Sequence, residues 1–297
     1  MLLVLLAVLA GDAREEVLGW LNAEREKRGA AALVIDASLE RAAQARAEEV
    51  AGQKDFAAAE ISGDEISRRA AEAGYEALVI GQIVMTVIGS PEGRLERLSR
   101  QSPETFAQAM RKEHRDLGVG IAQTEDALIW VLLFGLSAED DFQRKTAALS
   151  DLTKVREQML ARVNTERKAL RLPHLHENAL LDRAAQNHAE DMIRRSYYGH
   201  ESPEGATVSD RARRAGYRAS TVGENIAEGP GNVAEVMDAW MESPVHRDHI
   251  VSLVLKEIGI GLAFGRNDRG WEIVWVQVFG APRPGEPVGR RPPRRGA

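Results

Sequence analysis

Apolar residues recur at helical spacing over 14–28 and again over 153–169, and each stretch predicts an amphipathic helix. Alanine-rich segments at 38–51 and 178–195 predict a second helix after each of these. Between Val233 and Met241, the residues Val236, Met237 and Trp240 share one stripe, the pattern of a further helix. The period then changes. Ile258–Phe264 and Trp271–Phe279 alternate like two paired strands, and the polar link Gly265-Arg-Asn-Asp-Arg-Gly270 predicts an antiparallel hairpin. Helices followed by a small antiparallel sheet, within about 130 residues, predict an α+β module.

The same order of residues occurs twice. Asn22-Ala-Glu-Arg25 returns as Asn164-Thr-Glu-Arg167, a shift of 142 positions. Ala42-Ala43-Gln44 meets Ala184-Ala185-Gln186, and Ala73-Gly74-Tyr75 meets Ala215-Gly216-Tyr217, both at 142. Ser102-Pro103 meets Ser243-Pro244 at 141, and Phe134-Gly135 meets Phe279-Gly280 at 145. Alanine-rich helices mimic short matches, but they do not generate repeated Gly-Tyr, Ser-Pro and Phe-Gly pairs in fixed order. Two tandem modules are therefore expected. One covers 14–136 and the other 153–281, with a polar linker at 137–152.

The ends differ in character from the modules. Residues 1–13 open with MLLVLLAVLA, an apolar run too short to span a bilayer but similar to the apolar part of a signal peptide. No other segment has the length and apolarity of a transmembrane helix. A secreted or extracytoplasmic protein is expected. Residues 282–297 are rich in proline and arginine, read as a disordered tail whose charge suits an anionic surface. The net charge of −6 argues against a nucleic-acid partner. With no cysteine, disulfides, thiolate–zinc sites and thiol nucleophiles are excluded.

The second module carries a series of ordered motifs. They include His188-Ala-Glu-Asp-Met192, Tyr198-Gly-His200-Glu-Ser-Pro203, Gly223-Glu-Asn-Ile226, Trp240-Met-Glu-Ser-Pro-Val-His246-Arg247 and Trp275-Val-Gln-Val-Phe-Gly280. In these it resembles a bacterial domain of the CAP superfamily, named for cysteine-rich secretory proteins, antigen 5 and pathogenesis-related proteins. The resemblance implies an α-β-α sandwich, usually secreted, with a cleft lined by two histidines and one or two glutamates. Carried over, those residues are His200, Glu224 and His246. Glu242 lies near the place of a second glutamate, with Ser243 competing for it.

Those three residues stand 24 and 22 positions apart, so only tertiary folding can bring them together. Two imidazoles suit a divalent metal such as Zn2+, with Glu224 as third ligand, supporting partner or base for a bound water. Without metal, the group would form a polar cleft in which Glu224 raises the pKa of a neighbouring histidine. The first module lacks the set: Ala58, Gln82 and Thr105 stand at the matching positions. That loss, in a copy that keeps the apolar and glycine positions, points to ligand binding or chemistry rather than folding. The first copy is read as a structural or partner-binding domain.

Other residues have plainer readings. His246 and His249 stand three apart and can share a helix face as ligands, but solvated residues are expected there. His174 and His176 are expected to face solvent, His188 to pack, Asn225 to fix a turn, and Ser202 to cap a helix. The leading expectation is a binding protein for a divalent metal, a lipid or a cell-wall polymer. The alternatives are a metal-dependent hydrolase using the same cleft, or a non-catalytic protein-interaction module.

Overall fold

The computed structural model describes residues 2–53, 61–87, 91–125, 127–286 and 288. Most of the tail read at 282–297 lies outside the described residues. The chain divides into two compact units, Met1–Asp141 and Phe142–Ala297. The first unit runs α1 (Leu2–Glu26), β1 (Val34–Ile35), α2 (Ala37–Ala51), α3 (Gly63–Glu72), β2 (Ala77–Val87), α4 (Pro91–Gln101), α5 (Pro103–Met110), β3 (Asp116–Gln123) and β4 (Leu128–Ser137). The residues read as a linker hold α6 (Ala138–Ala147), and the apolar start of the chain is the beginning of α1.

The second unit repeats this order with α7 (Leu152–Ala169), β5 (His176–Glu177), α8 (Ala179–Arg194), α9 (Val208–Arg214), β6 (Ala219–Glu228), α10 (Val233–Glu242), α11 (Pro244–Val251), β7 (Glu257–Asn267) and β8 (Gly270–Pro282). The sheets have matching orders, β1-β3-β4-β2 and β5-β7-β8-β6. The expected hairpin is β7–β8, antiparallel from Glu257↔Gly280 to Asn267↔Gly270.

Strand alternation divides the second unit into two cores. Val274, Val276 and Val278 of β8 pack with Leu181, Ala185 and Ala189 of α8 and Ala212 of α9. Trp275 and Phe279 point the other way, to Met159 and Val163 of α7, Met237 and Trp240 of α10 and Ile250 of α11. The sheet thus lies between two helical layers, an α-β-α sandwich, and the first unit has the corresponding pair of cores.

The repeated motifs have repeated contacts. Asn164 exchanges two hydrogen bonds with the backbone of Leu175, at 3.1 and 2.8 Å, as Asn22 does with Leu33 at 3.0 and 2.7 Å. Arg167 is fully buried and donates to the carbonyls of Ile250 and Ser252; Arg25 donates to those of Ala109 and Arg111. The Gly-Tyr and Phe-Gly motifs meet each other. The Tyr217 hydroxyl donates to Glu257 at 2.6 Å across Gly280, where a Cβ would lie 2.4 Å from it. Tyr75, Asp116 and Gly135 make the same arrangement.

Candidate functional site

Strand β6 is an edge strand of the second sheet, and its side chains alternate between the two helical layers. Glu224 faces α8 and α9, and Asn225 faces α10 and α11. Residues from both layers can therefore meet around one strand edge, although they are distant in sequence.

On the first side, Glu224 is almost wholly buried, exposing 2% of its side chain, whereas His200 exposes 56%. His200 Nδ1 donates to Glu224 Oε1 at 3.0 Å. Arg211, from α9, donates to both carboxylate oxygens at 2.9 and 2.7 Å, to the His200 carbonyl at 2.9 Å and to the Ala206 carbonyl at 2.7 Å. The guanidinium thus fixes both the carboxylate and the loop that carries His200. His188 is buried behind them, its Nε2 donating to the Gly199 carbonyl at 3.0 Å and standing 3.8 Å from Glu224. The hydrogen bond that His200 donates to Glu224 raises the His200 pKa, against a smaller opposing effect of burial.

On the second side, Asn225 Nδ2 donates to the His246 carbonyl at 3.0 Å and to Gln277 at 3.2 Å. A carbonyl only accepts, so the amide nitrogen is assigned there, and Oδ1 is left facing His249 Nδ1 at 2.8 Å. His249 Nδ1 therefore carries the proton, and Nε2 keeps its lone pair. The ring stacks on Phe279 at 6.0 Å between centroids and lies over Gly223, where a Cβ would be 2.7 Å from its Cδ2. His246 Nδ1 lies 2.9 Å from Ser243 Oγ. The pKa of His246 is lowered by burial and then by the charge of His200; that of His249 is lowered by burial and then by His246 and His200. One strand edge thus sets an imidazole whose pKa is raised beside two whose pKa values are lowered.

The structure brings together His200 and Glu224 directly, with His246 electrostatically coupled to His200 across the strand edge. It does not bring in Glu242, which is exposed at the end of α10 with no hydrogen bond or ion pair among the described residues. Ser243 takes the contact with His246 instead. Three plainer readings are corrected, the first being Asn225, which sits within β6 and bonds to α11 rather than fixing a turn. His249 is half-buried and bonded to Asn225 rather than solvated, because Gly223 leaves room for its ring. Ser202 caps no helix: its Oγ accepts from Ala206 N within a turn, and Thr207 caps α9 in a capping box with Asp210. Arg211 was missed by sequence reasoning. The presence of Arg69 142 positions before it does not single it out, because the first copy has Gln82 in place of its partner Glu224.

The donor set can be tested for a metal. Glu224 accepts from Arg211 on both oxygens and from His200 on one, so it does not fit as a metal ligand without losing a buried ion pair. Among the described residues, no group of three or more His, Cys, Asp or Glu side chains is placed to hold a metal ion.

The first unit shows the site's loss. Gly81 matches Gly223, and Gln108 takes the place of His249 beside it, its Oε1 2.9 Å from where a Gly81 Cβ would be. Gln82 replaces Glu224, and Arg69, in the position of Arg211, turns to Glu49 and Glu65 instead. Ala58, matched to His200, lies outside the described residues.

The model of the cysteine-rich secretory protein (CAP) family matches this chain twice, over residues 18–134 and 160–279. The chain is 30% identical over 134 residues to the uncharacterized protein YkwD of Bacillus subtilis strain 168, covering 45% of this chain. It spans about half (50%) of the length of that curated relative. Among solved structures it is similar to an outer surface protein from Borrelia burgdorferi, at 21% identity and TM-score 0.38, covering 43% of this chain and 92% of that one. An extracellular SCP-domain protein from Bacillus anthracis str. Ames is similar at 20% identity and TM-score 0.37, covering 55% of this chain and 59% of its own. Matched over most of its length by one family model in two successive copies, the chain belongs to the cysteine-rich secretory protein (CAP) family as a tandem of two CAP domains.

Proposed function

We propose that the protein works outside the cytoplasm and that its C-terminal domain binds a polar ligand of the cell envelope, a cell-wall polymer fragment, in the cleft of His200, Glu224, His246 and His249. The observation that carries this reading is the pairing of exposed His200 with buried Glu224, beside two neutral imidazoles. His200 spends Nδ1 on Glu224 and turns its exposed ring edge outward, with a raised pKa that favours the charged donor form. His249 offers the Nε2 lone pair as an acceptor. Sugars and peptides supply both kinds of partner, whereas a lipid chain would leave these groups unpaired. The apolar start of the chain supports export, and so does membership of a family named for secretory proteins.

Binding is favoured over the metal-dependent hydrolase on one ground. Held by Arg211 on both oxygens, Glu224 is a poor base for a water. The test is co-sedimentation of the full chain with purified bacterial peptidoglycan. Wild type should pellet with the polymer, and the H200A/H246A double variant should stay in solution at an unchanged melting temperature. Equal pelleting of the two proteins would overturn the reading.

A further inference from the structure

Beyond the cleft, on the outer side of His188 and Arg211, α8 and α9 enclose a groove of about 600 Å³. Its walls include Arg183 and Asn187 from α8, and Arg211 and Arg214 from α9. The groove has a twin. Between α2 and α3 lies a groove of about 470 Å³, with Arg41 in the place of Arg183, Ala45 for Asn187, Arg69 for Arg211 and Glu72 for Arg214, all at the shift of 142. The groove thus survives in the copy that has lost the cleft residues, so its shape belongs to the fold. What differs is how its charges are paired.

In the first copy the arginines are engaged. Arg41 donates to Ser38 and to the Ala73 carbonyl at 2.8 and 2.7 Å. Arg68 pairs with Glu65 and Glu72, Arg69 with Glu49 and Glu65, and Arg46 with Glu49. In the second copy the acids on the groove are engaged instead. Asp191 is held by Arg194, Arg195 and Tyr197, Glu204 by Arg195, and Glu190 accepts from Gln186. Arg183 and Arg214, both exposed, have no ion pair or side-chain hydrogen bond among the described residues. Arg211, nine-tenths buried on the same wall, leaves its Nε without a partner. Exchanging Glu72 for Arg214 has replaced an internal counter-charge with an unspent guanidinium.

We propose that this α8–α9 groove is a second binding site, taking a small oxyanion ligand, carboxylate or phosphate, between Arg183 and Arg214. Guanidinium groups match such anions with paired N–H donors, and a groove of this volume holds a ligand of small-molecule size. The proposal is independent of what the histidine cleft binds. It is tested on the full chain by calorimetric titration with inorganic phosphate and, separately, with N-acetylglycine, each against chloride at matched ionic strength. Saturable binding is expected for at least one probe, and the preferred probe tells a phosphoryl ligand from a carboxylate ligand. R183A, and R214E with the first copy's residue, should each weaken that binding by about tenfold or more, with melting unchanged because both side chains are exposed. Absence of saturable binding above the chloride control for both probes, or R214E binding as tightly as wild type, would overturn it.

Discussion

At the scale of single residues, the second domain separates its ionisable groups by what surrounds them. The His200 pKa is raised by a carboxylate that Arg211 fixes, and those of His246 and His249 are lowered, first by burial and then by neighbouring histidines. Asp182, in the first turn of α8, is the opposite case for a carboxyl. Burial raises its pKa to about 6, against a backbone hydrogen bond from Ile260 and the charge of Arg156. The folded state then binds more protons than the unfolded one between about pH 4 and 6, so its stability falls as pH rises through that window. Asp182→Asn keeps an acceptor for Ile260 and should unfold later than wild type at pH 7, by on the order of 1–2 kcal/mol, with the advantage gone near pH 4. Denaturant unfolding at the two pH values measures this; a variant less stable than wild type at pH 7 would contradict it. His200 and Glu224 were legible in the sequence, through ordered motifs and through their loss from the first copy. Arg211 and His249 were not, because an arginine on a short helix and a histidine three residues past another look like solvated surface. Only folding shows that Gly223 makes room for one and Glu224 needs the other.

At the scale of elements, the hydrophobic pattern carried most of the fold. The change from helical spacing to alternation placed the β7–β8 hairpin, and the alanine-rich runs marked α2 and α8. Alanine is used there because those helices lie directly on a strand. Gly259 and Gly261 of β7 face the backbone of α8, and a Cβ on Gly261 would be 2.3 Å from the Ala185 carbonyl carbon. Backbone cannot swing aside as a side-chain tip can, so Gly261→Ala should cost about 3 kcal/mol or more, read as lost thermal stability of the second domain. A melting temperature equal to wild type would show that the helix is not seated as closely as described. The short strands β1 and β5 were not foreseen, because two residues are too few for periodicity to register. The capping of α9 was misplaced because Ser202 and Thr207 are equally plausible caps, and only the paired bonds with Asp210 decide between them.

At the scale of the whole molecule, the sequence repeat is a repeat of contacts: buried arginine on the α5 or α11 carbonyls, asparagine on the turn after the first helix, tyrosine reaching across glycine to an acid. The two copies share one scaffold, and they differ in the histidine cluster and in how their charges are paired. The first pairs the groove arginines Arg68 and Arg69 with its own glutamates, while the second carries a histidine cluster beside Arg211 and a groove in which Arg183 and Arg214 have no ion pair among the described residues. Among the described residues no helix is long and apolar enough to cross a membrane. Three neighbouring imidazoles have their pKa values moved apart, and an NMR pH titration of the histidine ring protons reads this directly. His200 should titrate above the ordinary histidine value of 6.5, with His246 and His249 below it. His200 titrating at or below that value, or all three sharing one ordinary midpoint, would contradict the account.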